Sequence, residues 1–226
     1  MRNRFVWIIG VMALAGCWQP QAGAAIFINE ILADPPAVIG DANRDGVVST
    51  TQDEFVELIN TDSQAISLAG WTLSDQMQVR HTFAPATSIP ANGFFVIFGG
   101  GVPQGFSSAA IASTGTLSLN NGGDTVTLRD AVAGLIDTFT YGAEGGMDVS
   151  LTRSPDATGA FVKHTAVNAQ RFSPGTTVDG NSTLPSPSIS SPPDAARTPV
   201  TTPEPASWWL MGFGLLGCAR KRRVTS

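Results

Sequence analysis

The sequence is poor in the side chains that form cross-links and carry most enzyme chemistry. It contains two cysteines and two histidines among 226 residues. Cys17 and Cys218 lie in apolar segments near the two ends, so the central part can form no disulfide and no cysteine-based zinc site. His81 and His164 are far apart and accompany no activated-serine motif, so the pattern of a catalytic triad is missing. We therefore expect both histidines on the surface or in loops, and we expect no enzymatic activity.

Charge is also scarce, and it is unevenly distributed. Charged residues make up 14% of the chain, against 24 glycines and 15 prolines, a composition that favours a turn-rich all-β protein. Residues 26–202 contain 17 acidic and 7 basic side chains, a net charge of −10, whereas basic residues are concentrated at the two ends. An acidic body repels phosphate backbones, so we expect no nucleic-acid partner.

Residues 1–25 have the pattern of an export signal. Arg2 and Arg4 precede an apolar run, and small residues follow. Two processing sites compete. Ala22-Gly23-Ala24 has the small residues of a signal-peptidase site, which would leave a mature chain that starts at residue 25 or 26. Leu14-Ala15-Gly16-Cys17 resembles a bacterial lipobox, in which Cys17 would be lipidated and become the first residue.

Hydrophobic periodicity predicts β-strands throughout the body. Residues 26–32, 54–60 and 93–98 are strand-length apolar segments, and the third should be the most buried. The alternative for the second segment is a bulge at which Phe55 packs beside Val56. Residues 117–141 alternate apolar and polar side chains around two turns rich in Gly, Asn and Asp, which predicts an antiparallel meander of three strands.

Several separated motifs occur in the order found in lamin tail domains. From residue 26 the chain reads IFINEILADPP, then DEFVELIN, LAGWTLSD, GFFVIF, LSLNNGGDTVTLRDAVAGLIDTFTYG and RFSPG. This series resembles the lamin tail domain family, whose members are small immunoglobulin-like β-sandwiches also found on many secreted bacterial proteins. The resemblance implies that residues 26–175 form one such sandwich. Lamin tail domains sometimes accompany hydrolases, so a hydrolase-accessory role is a further implication, although we expect no second domain to carry that chemistry.

Residues 41–54 contain a candidate calcium site. Their first nine positions match an EF-hand-type loop, in which oxygen ligands alternate with other residues and Gly46 allows a sharp bend. Position 12 is Gln52 instead of a carboxylate, so Asp53 is the expected substitute, and Val48 should turn inward. The expected ligands are Asp41, Asn43, Asp45, the Val47 carbonyl and Asp53. The alternative is a surface loop whose Asp and Asn side chains cap their own turns.

Residues 176–202 are rich in proline, serine and threonine. This composition predicts an extended linker without a core of its own. The tripeptide Asn181-Ser182-Thr183 within the linker is a formal glycosylation sequon.

Residues 203–226 form a second targeting pattern. Pro203-Glu204-Pro205 leads into an apolar run that ends at Ala219, and a basic cluster of Arg220, Lys221, Arg222 and Arg223 follows. The run is short for a membrane span, but its tryptophans and the basic cluster are typical of one. The segment resembles the PEP-CTERM sorting signal of Gram-negative bacteria, which implies processing by an exosortase-type protease. The alternative is a plain C-terminal membrane anchor.

Together these features predict an exported, non-enzymatic protein of the cell envelope or the extracellular matrix. The expected partners are the export machinery, an exosortase-type protease, the membrane through a C-terminal helix, and a polysaccharide or surface-protein ligand. A calcium-dependent binding module that stays anchored in the membrane is an alternative. Glu30 and Glu57 lie within apolar strands, but no nucleophile or cleft pattern accompanies this carboxylate pair, so we expect a structural role for it.

Overall fold

The body of the protein is built almost entirely from β-strands. A computed structural model describes residues 25–184, and within this range the only helical segments are 3₁₀ turns at Ala143–Gly146 and His164–Ala166. None of these turns has the length or apolar character to cross a membrane. The strands are β1 (Ile26–Leu32), β2 (Phe55–Asn60), β3 (Ile66–Ser67), β4 (Thr72–Ser74), β5 (Val79–Thr82), β6 (Ser88–Ile89), β7 (Phe94–Phe98), β8 (Ala109–Ile111), β9 (Asp124–Arg129), β10 (Leu135–Tyr141), β11 (Leu151–Ser154) and β12 (Ala160–Lys163).

The strands form two main sheets that stack as a sandwich. The large sheet has the strand order β12-β11-β1-β2-β7-β8, and the small sheet has the order β10-β9-β4-β5. Neighbouring strands are antiparallel except β8, which pairs with β7 in parallel. This architecture confirms the predicted all-β sandwich and is consistent with an immunoglobulin-like fold. The predicted signal helix with Cys17, and the C-terminal membrane and sorting segment, lie outside the described residues.

Side chains from both sheets fill the space between them. In β9, Val126 and Leu128 point inward while Thr125 and Thr127 are half-buried, as the two-residue period of a strand requires. β7 is buried along its whole length, as predicted, and so is β2. Both strands are central in the large sheet, and loops cover the outer face of that sheet as well. The inter-sheet core includes Ile28, Ile31, Val56, Leu58, Leu73, Phe95, Ile97, Val126 and Leu128.

The predicted three-stranded meander is wrong in its first strand. β9 and β10 pair as expected, but residues 117–119 belong to no strand, and the other neighbour of β9 is β4. Ser118 has φ of 49°, a left-handed conformation that interrupts an extended segment. Leu117 and Leu119 are nevertheless buried. The two leucines therefore alternate with polar residues because both anchor a loop in the core, and not because they lie on one face of a strand.

A β-bulge in β1 decides which side chains reach the outer face of the large sheet. The register between β1 and β2 shifts between Ile28 and Glu30, which makes Asn29 the extra residue. β2 pairs with β7 without a shift, so the bulge considered at Phe55 is not present there. Because Ile28 and Ile31 both face the inter-sheet core, the bulge turns Asn29 and Glu30 together towards the outer face.

The segment after β12 lies across that outer face, and we call residues 164–184 the C-terminal strap. Phe172 and Leu184 of the strap pack against two separate apolar clusters on the outer face of the large sheet. Thr177 and Val178 are buried. Residues 176–184, which the composition places in the linker, therefore pack against the body.

Both ends of the described chain lie at one end of the large sheet. Thr61 N–H donates to Ala25 O at 2.8 Å, and Leu184 N–H donates to Asn92 O at 2.9 Å. The loops that follow β1 and β7 begin at the opposite end of the sheet, where Leu32 pairs with Phe55 and Phe55 pairs with Phe98. Leu184, the last described residue, thus lies at the end of the sheet remote from these loops.

Candidate functional site

The predicted calcium loop, residues 41–54, packs against the glycine run that follows β7, and we call it the acidic loop. Gly99 N–H donates to Glu54 O at 2.8 Å. A Cβ atom on Gly101 would overlap the side chains of Asn43 and Asp45. The glycine run is therefore needed for close approach of two loops, a role that its sequence did not reveal.

The carboxylates of the acidic loop accept hydrogen bonds from main-chain N–H groups. Asn43 is fully buried, and its Oδ1 accepts from Asp45 N–H at 2.9 Å. The three aspartates each accept two such bonds: Asp41 from Asp45 (3.1 Å) and Gly46 (3.0 Å), Asp45 from Val47 (2.9 Å) and Val102 (3.0 Å), and Asp53 from Asn43 (3.0 Å) and Ser49 (2.7 Å). This is the turn-capping geometry of the alternative interpretation.

Asp53, the expected substitute ligand, is bonded within the acidic loop. It closes the loop onto Asn43, and burial raises the pKa of its carboxyl, which the charges of Asp41 and Asp45 raise further. Among residues 25–184, no three His, Cys, Asp or Glu side chains form a group that could hold a metal ion. Calcium binding through these side chains and the Val47 carbonyl stays a prediction.

Val48 does not turn inward as expected. Its side chain is 39% exposed, and Val47 is 58% exposed. The inward positions of the acidic loop are taken by Ala42 and Asn43, which are buried. The loop thus presents aliphatic side chains to solvent beside its carboxylates.

A cavity of about 240 Å³ lies between the acidic loop and the strap. The Arg44 guanidinium lies 4.4 Å from the centroid of the Phe106 ring and donates to Pro174 O at 3.3 Å, which ties the loop to the strap. The cavity lining includes two carboxylates, a guanidinium, an imidazole, two amides, hydroxyls and a phenyl ring, from Asp41, Asp179, Arg44, His164, Asn168, Gln170, Ser173, Thr176 and Phe172. Such a lining can both donate and accept hydrogen bonds.

The bulge in β1 places Glu30 at the centre of a buried network beneath the strap. Its Oε1 accepts from Ser150 Oγ at 2.5 Å and from Ser173 N–H at 3.0 Å, and its Oε2 accepts from Ser173 Oγ at 2.8 Å. Burial raises the pKa of Glu30, while the charge of His164 and the serine hydrogen bonds oppose the rise. Glu30 therefore fixes the strap to the sheet at Ser173.

Glu57 is the second buried carboxylate beneath the strap. It is the cross-strand partner of Glu30, and its Oε2 accepts from Gly175 N–H at 2.6 Å. Asn29 Nδ2 donates to Glu57 Oε1 and to Asp156 Oδ1, both at 2.9 Å. Burial, followed by the charge of Glu30, raises the pKa of Glu57 well above its ordinary value. Both oxygens of each glutamate accept bonds from strap or sheet groups, an arrangement that stabilises the fold.

The two histidines occupy different settings. His81 lies in β5 and is 6% exposed, edge-on to Phe83, so its expected surface or loop position is wrong. His164 lies in a loop segment as expected, but it is fully buried. Its Nδ1 is 2.8 Å from Gln170 O, and its Nε2 is 2.9 Å from Ser173 Oγ. The proton of the Ser173 hydroxyl is directed away from the imidazole because this hydroxyl donates to Glu30. The contact between His164 and Ser173 therefore stabilises the strap.

A second set of ionisable groups lies near the end of β10 and was not predicted. Glu54 Oε2 accepts from Leu119 N–H at 3.3 Å, and burial raises the pKa of Glu54 to about 7. Tyr141 is 3% exposed, and its hydroxyl has no hydrogen-bond partner among the described residues. The only sequence signal for this set was an acidic residue directly before an apolar strand.

Comparison with known proteins identifies two regions of the chain. The family model described as Lamin Tail Domain matches residues 19–143, and the model described as PEP-CTERM protein-sorting motif matches residues 201–223. No curated protein matches the chain. The second match includes Pro203, Glu204 and Pro205 and the basic cluster from Arg220 to Arg223, and it indicates an exported, envelope-associated protein of a Gram-negative bacterium that exosortase-type machinery sorts. The chain therefore belongs to the lamin tail domain family and carries a PEP-CTERM sorting motif.

Proposed function

We propose that this protein is a non-enzymatic module that is delivered to the cell envelope or the extracellular matrix, where its sandwich binds a polysaccharide. The observation that carries the proposal is the presence of a lamin tail domain and a PEP-CTERM motif in one chain. A β-sandwich is a scaffold whose binding groups lie in its loops, and here the loops remote from Leu184 are free to face a ligand.

Within this proposal, the cavity between the acidic loop and the strap is the ligand site. Its volume of about 240 Å³ is small for a drug-sized ligand but suits a single sugar ring at the end of a chain. The amides of Asn168 and Gln170 and the Asp41 carboxylate can bond sugar hydroxyls, and the Phe172 ring supplies an apolar face. A surface protein is the competing ligand.

The delivery part of the proposal is tested by intact mass. The protein is recovered from its native host, and the envelope and medium fractions are compared. We expect a chain that has lost the segment after Pro203-Glu204-Pro205. If the chain retains Ser226, its C-terminal segment is instead a plain membrane anchor. The same spectrum distinguishes lipidation at Cys17 from cleavage near residue 25.

The binding part is tested with exopolysaccharide purified from the same host. Gln170 is exposed in the cavity and Gln78 is exposed in the β4–β5 turn, on the small sheet. We expect Gln170→Ala to weaken polysaccharide binding about tenfold, the loss of one or two hydrogen bonds, and Gln78→Ala to leave it unchanged. Equal affinities for the two variants, or no binding by the wild type, would exclude the cavity as a polysaccharide site.

A calcium-dependent version of this module is the second candidate, because Asp41 belongs both to the acidic loop and to the cavity wall. Bound calcium would order that wall. Asp130 caps the β9–β10 turn through Val132 N–H and Gly134 N–H, which makes it a matched acidic control. Calorimetry should show calcium binding that Asp41→Asn abolishes and Asp130→Asn preserves. Identical calcium titrations for wild type and Asp41→Asn would eliminate this version.

A further inference from the structure

The strap ends in the tripeptide Asn181-Ser182-Thr183, which has the acceptor pattern for N-linked glycosylation. No other asparagine of the sequence has Ser or Thr two positions later. We propose that Asn181 is an N-glycosylation site whose donor is an oligosaccharide linked to a lipid pyrophosphate. The inference concerns a covalent modification and is independent of the ligand of the cavity.

The structure presents this tripeptide to solvent. Asn181, Ser182 and Thr183 are all exposed, whereas Asn29 and Asn43 are fully buried. The side-chain amide of Asn181 forms no hydrogen bond to any residue in the described range 25–184. The group that must react is therefore accessible in the folded protein.

The backbone holds the acceptor in a defined turn. Asn181 N–H donates to Thr177 Oγ1 at 3.0 Å, and Thr177 N–H donates to Asn181 O at 2.7 Å. Val178 is buried on one side of the turn, and Leu184 packs against the large sheet on the other. The exposed tripeptide is thus a short loop between two anchors, and a transferase can bind it without unfolding the strap.

The charge of the turn also suits recognition. Asp179, two residues before the acceptor, is exposed and places a carboxylate beside it. A transferase with a basic acceptor groove would gain a charge contact there. Exosortase-sorted proteins are exported, so the turn reaches the side of the membrane on which lipid-linked sugars are transferred to proteins.

The chemistry needs no redox partner. The Asn181 Nδ2 atom forms a bond to C1 of the first sugar, and the bond between C1 and the pyrophosphate oxygen breaks. The lipid pyrophosphate leaves with the electron pair, and one amide proton passes to a base of the transferase.

The test uses the full chain, produced in its native host and taken from the envelope and medium fractions. Trypsin cleavage after Arg171 and Arg197 releases residues 172–197, which contain the whole tripeptide. We expect this peptide to carry the added mass of a glycan, located on Asn181 by fragmentation that preserves the N-glycosidic bond. Restricting the measurement to chains that have lost the export signal separates a missing modification from a failure of export.

Two neighbouring hydroxyls provide matched variants. Neither Ser182 nor Thr183 forms a side-chain hydrogen bond within the described residues, so either can be replaced without disturbing the fold. Thr183→Ala removes the hydroxyl of the acceptor pattern and should abolish the modification. Ser182→Ala keeps that hydroxyl and should retain it. An unmodified Asn181 in the exported wild type, or a glycan that persists in Thr183→Ala, would overturn the proposal.

Discussion

Tyr141 carries a buried hydroxyl without a hydrogen-bond partner among the described residues. Burial, together with the charges of Asp124 and Glu54, also raises the pKa of this hydroxyl. An unpaired buried polar group costs about 1–3 kcal/mol. We therefore expect Tyr141→Phe, which keeps the ring, to leave the free energy of unfolding unchanged or to raise it by about 1 kcal/mol in urea titrations.

The ring of Tyr141 has a different role from its hydroxyl. It packs directly on the backbone of Gly145, where even a Cβ atom would overlap it. Tyr141→Leu should therefore lower the free energy of unfolding by about 2–4 kcal/mol through lost packing. A loss of more than about 1 kcal/mol in Tyr141→Phe would show instead that the hydroxyl is bonded, for example to a buried water.

Glu54 should make stability depend on pH near neutrality. Its pKa is about 7 in the folded protein, against 4.5 ordinarily, so the folded state binds the proton more tightly than the unfolded state. The free energy of unfolding should therefore fall as pH rises from 5 to 8, by roughly 3 kcal/mol at most. Urea titrations across this range measure the slope.

Two glutamine variants isolate this effect. Glu54→Gln should reduce the fall in stability; the raised pKa values of Glu30 and Glu57 act in the same direction as Glu54, and the lowered pKa of buried His81 acts in the opposite direction. Glu144 is exposed, and the Gly142 N–H lowers its pKa, so it stays ionised from pH 5 to 8. Glu144→Gln should keep the wild-type slope. Equal pH dependence in the wild type and in Glu54→Gln contradicts the assignment.

At the scale of elements, the contact between the acidic loop and the glycine run can be measured with one pair of alanine variants. Gly101 and Gly115 have similar φ values of 76° and 80°, but a Cβ on Gly101 would overlap Asn43 and Asp45, whereas nothing lies within 4 Å of one on Gly115. Gly115→Ala should cost about 1 kcal/mol from backbone strain alone.

Gly101→Ala adds a steric clash to the same strain. We expect it to lower the free energy of unfolding by about 2–4 kcal/mol in thermal or urea unfolding, because the acidic loop must move away from the glycine run. If both variants cost the same, the two loops are not in close contact.

The sequence predicts a strand well where the segment itself is apolar and of strand length. β1, β2 and β7 are apolar segments of strand length, and each occurs within two residues of its predicted bounds. Residues 117–119 alternate like a strand, but the left-handed Ser118 and the contact of Leu119 with Glu54 make them a loop. The two-residue hydrophobic period alone does not distinguish a strand from such a loop.

The network beneath the strap was not predictable in the same way. Glu30 meets Ser173 across 143 positions, and Glu57 meets Gly175 across 118. These contacts depend on a bulge that no local signal marks, and on a strap that belongs to no strand. From the strands alone, only a structural role for Glu30 and Glu57 could be predicted.

At the scale of the whole molecule, the first and last described residues lie at one pole of the sandwich and the acidic loop at the other. Ala25 and Leu184 lie at one pole through their bonds to Thr61 and Asn92. The acidic loop lies at the other, packed on the glycine run. The family match at 19–143 covers most of the strands of this sandwich, and the sorting motif at 201–223 lies beyond the described residues.

This layout has a mechanical consequence for a body pulled by its tail. Tension would enter at Leu184 and load its bond to Asn92 first, then the bond of Val178 to Asp156, and only afterwards the strap bonds to Glu57 and Glu30. The strap would peel one bond at a time, and the pairing of β1 with β2 would be loaded last, through Glu30 and Glu57. Such a pull would thus lengthen the chain one strap bond at a time before it strains the pairing of any strand in the sandwich.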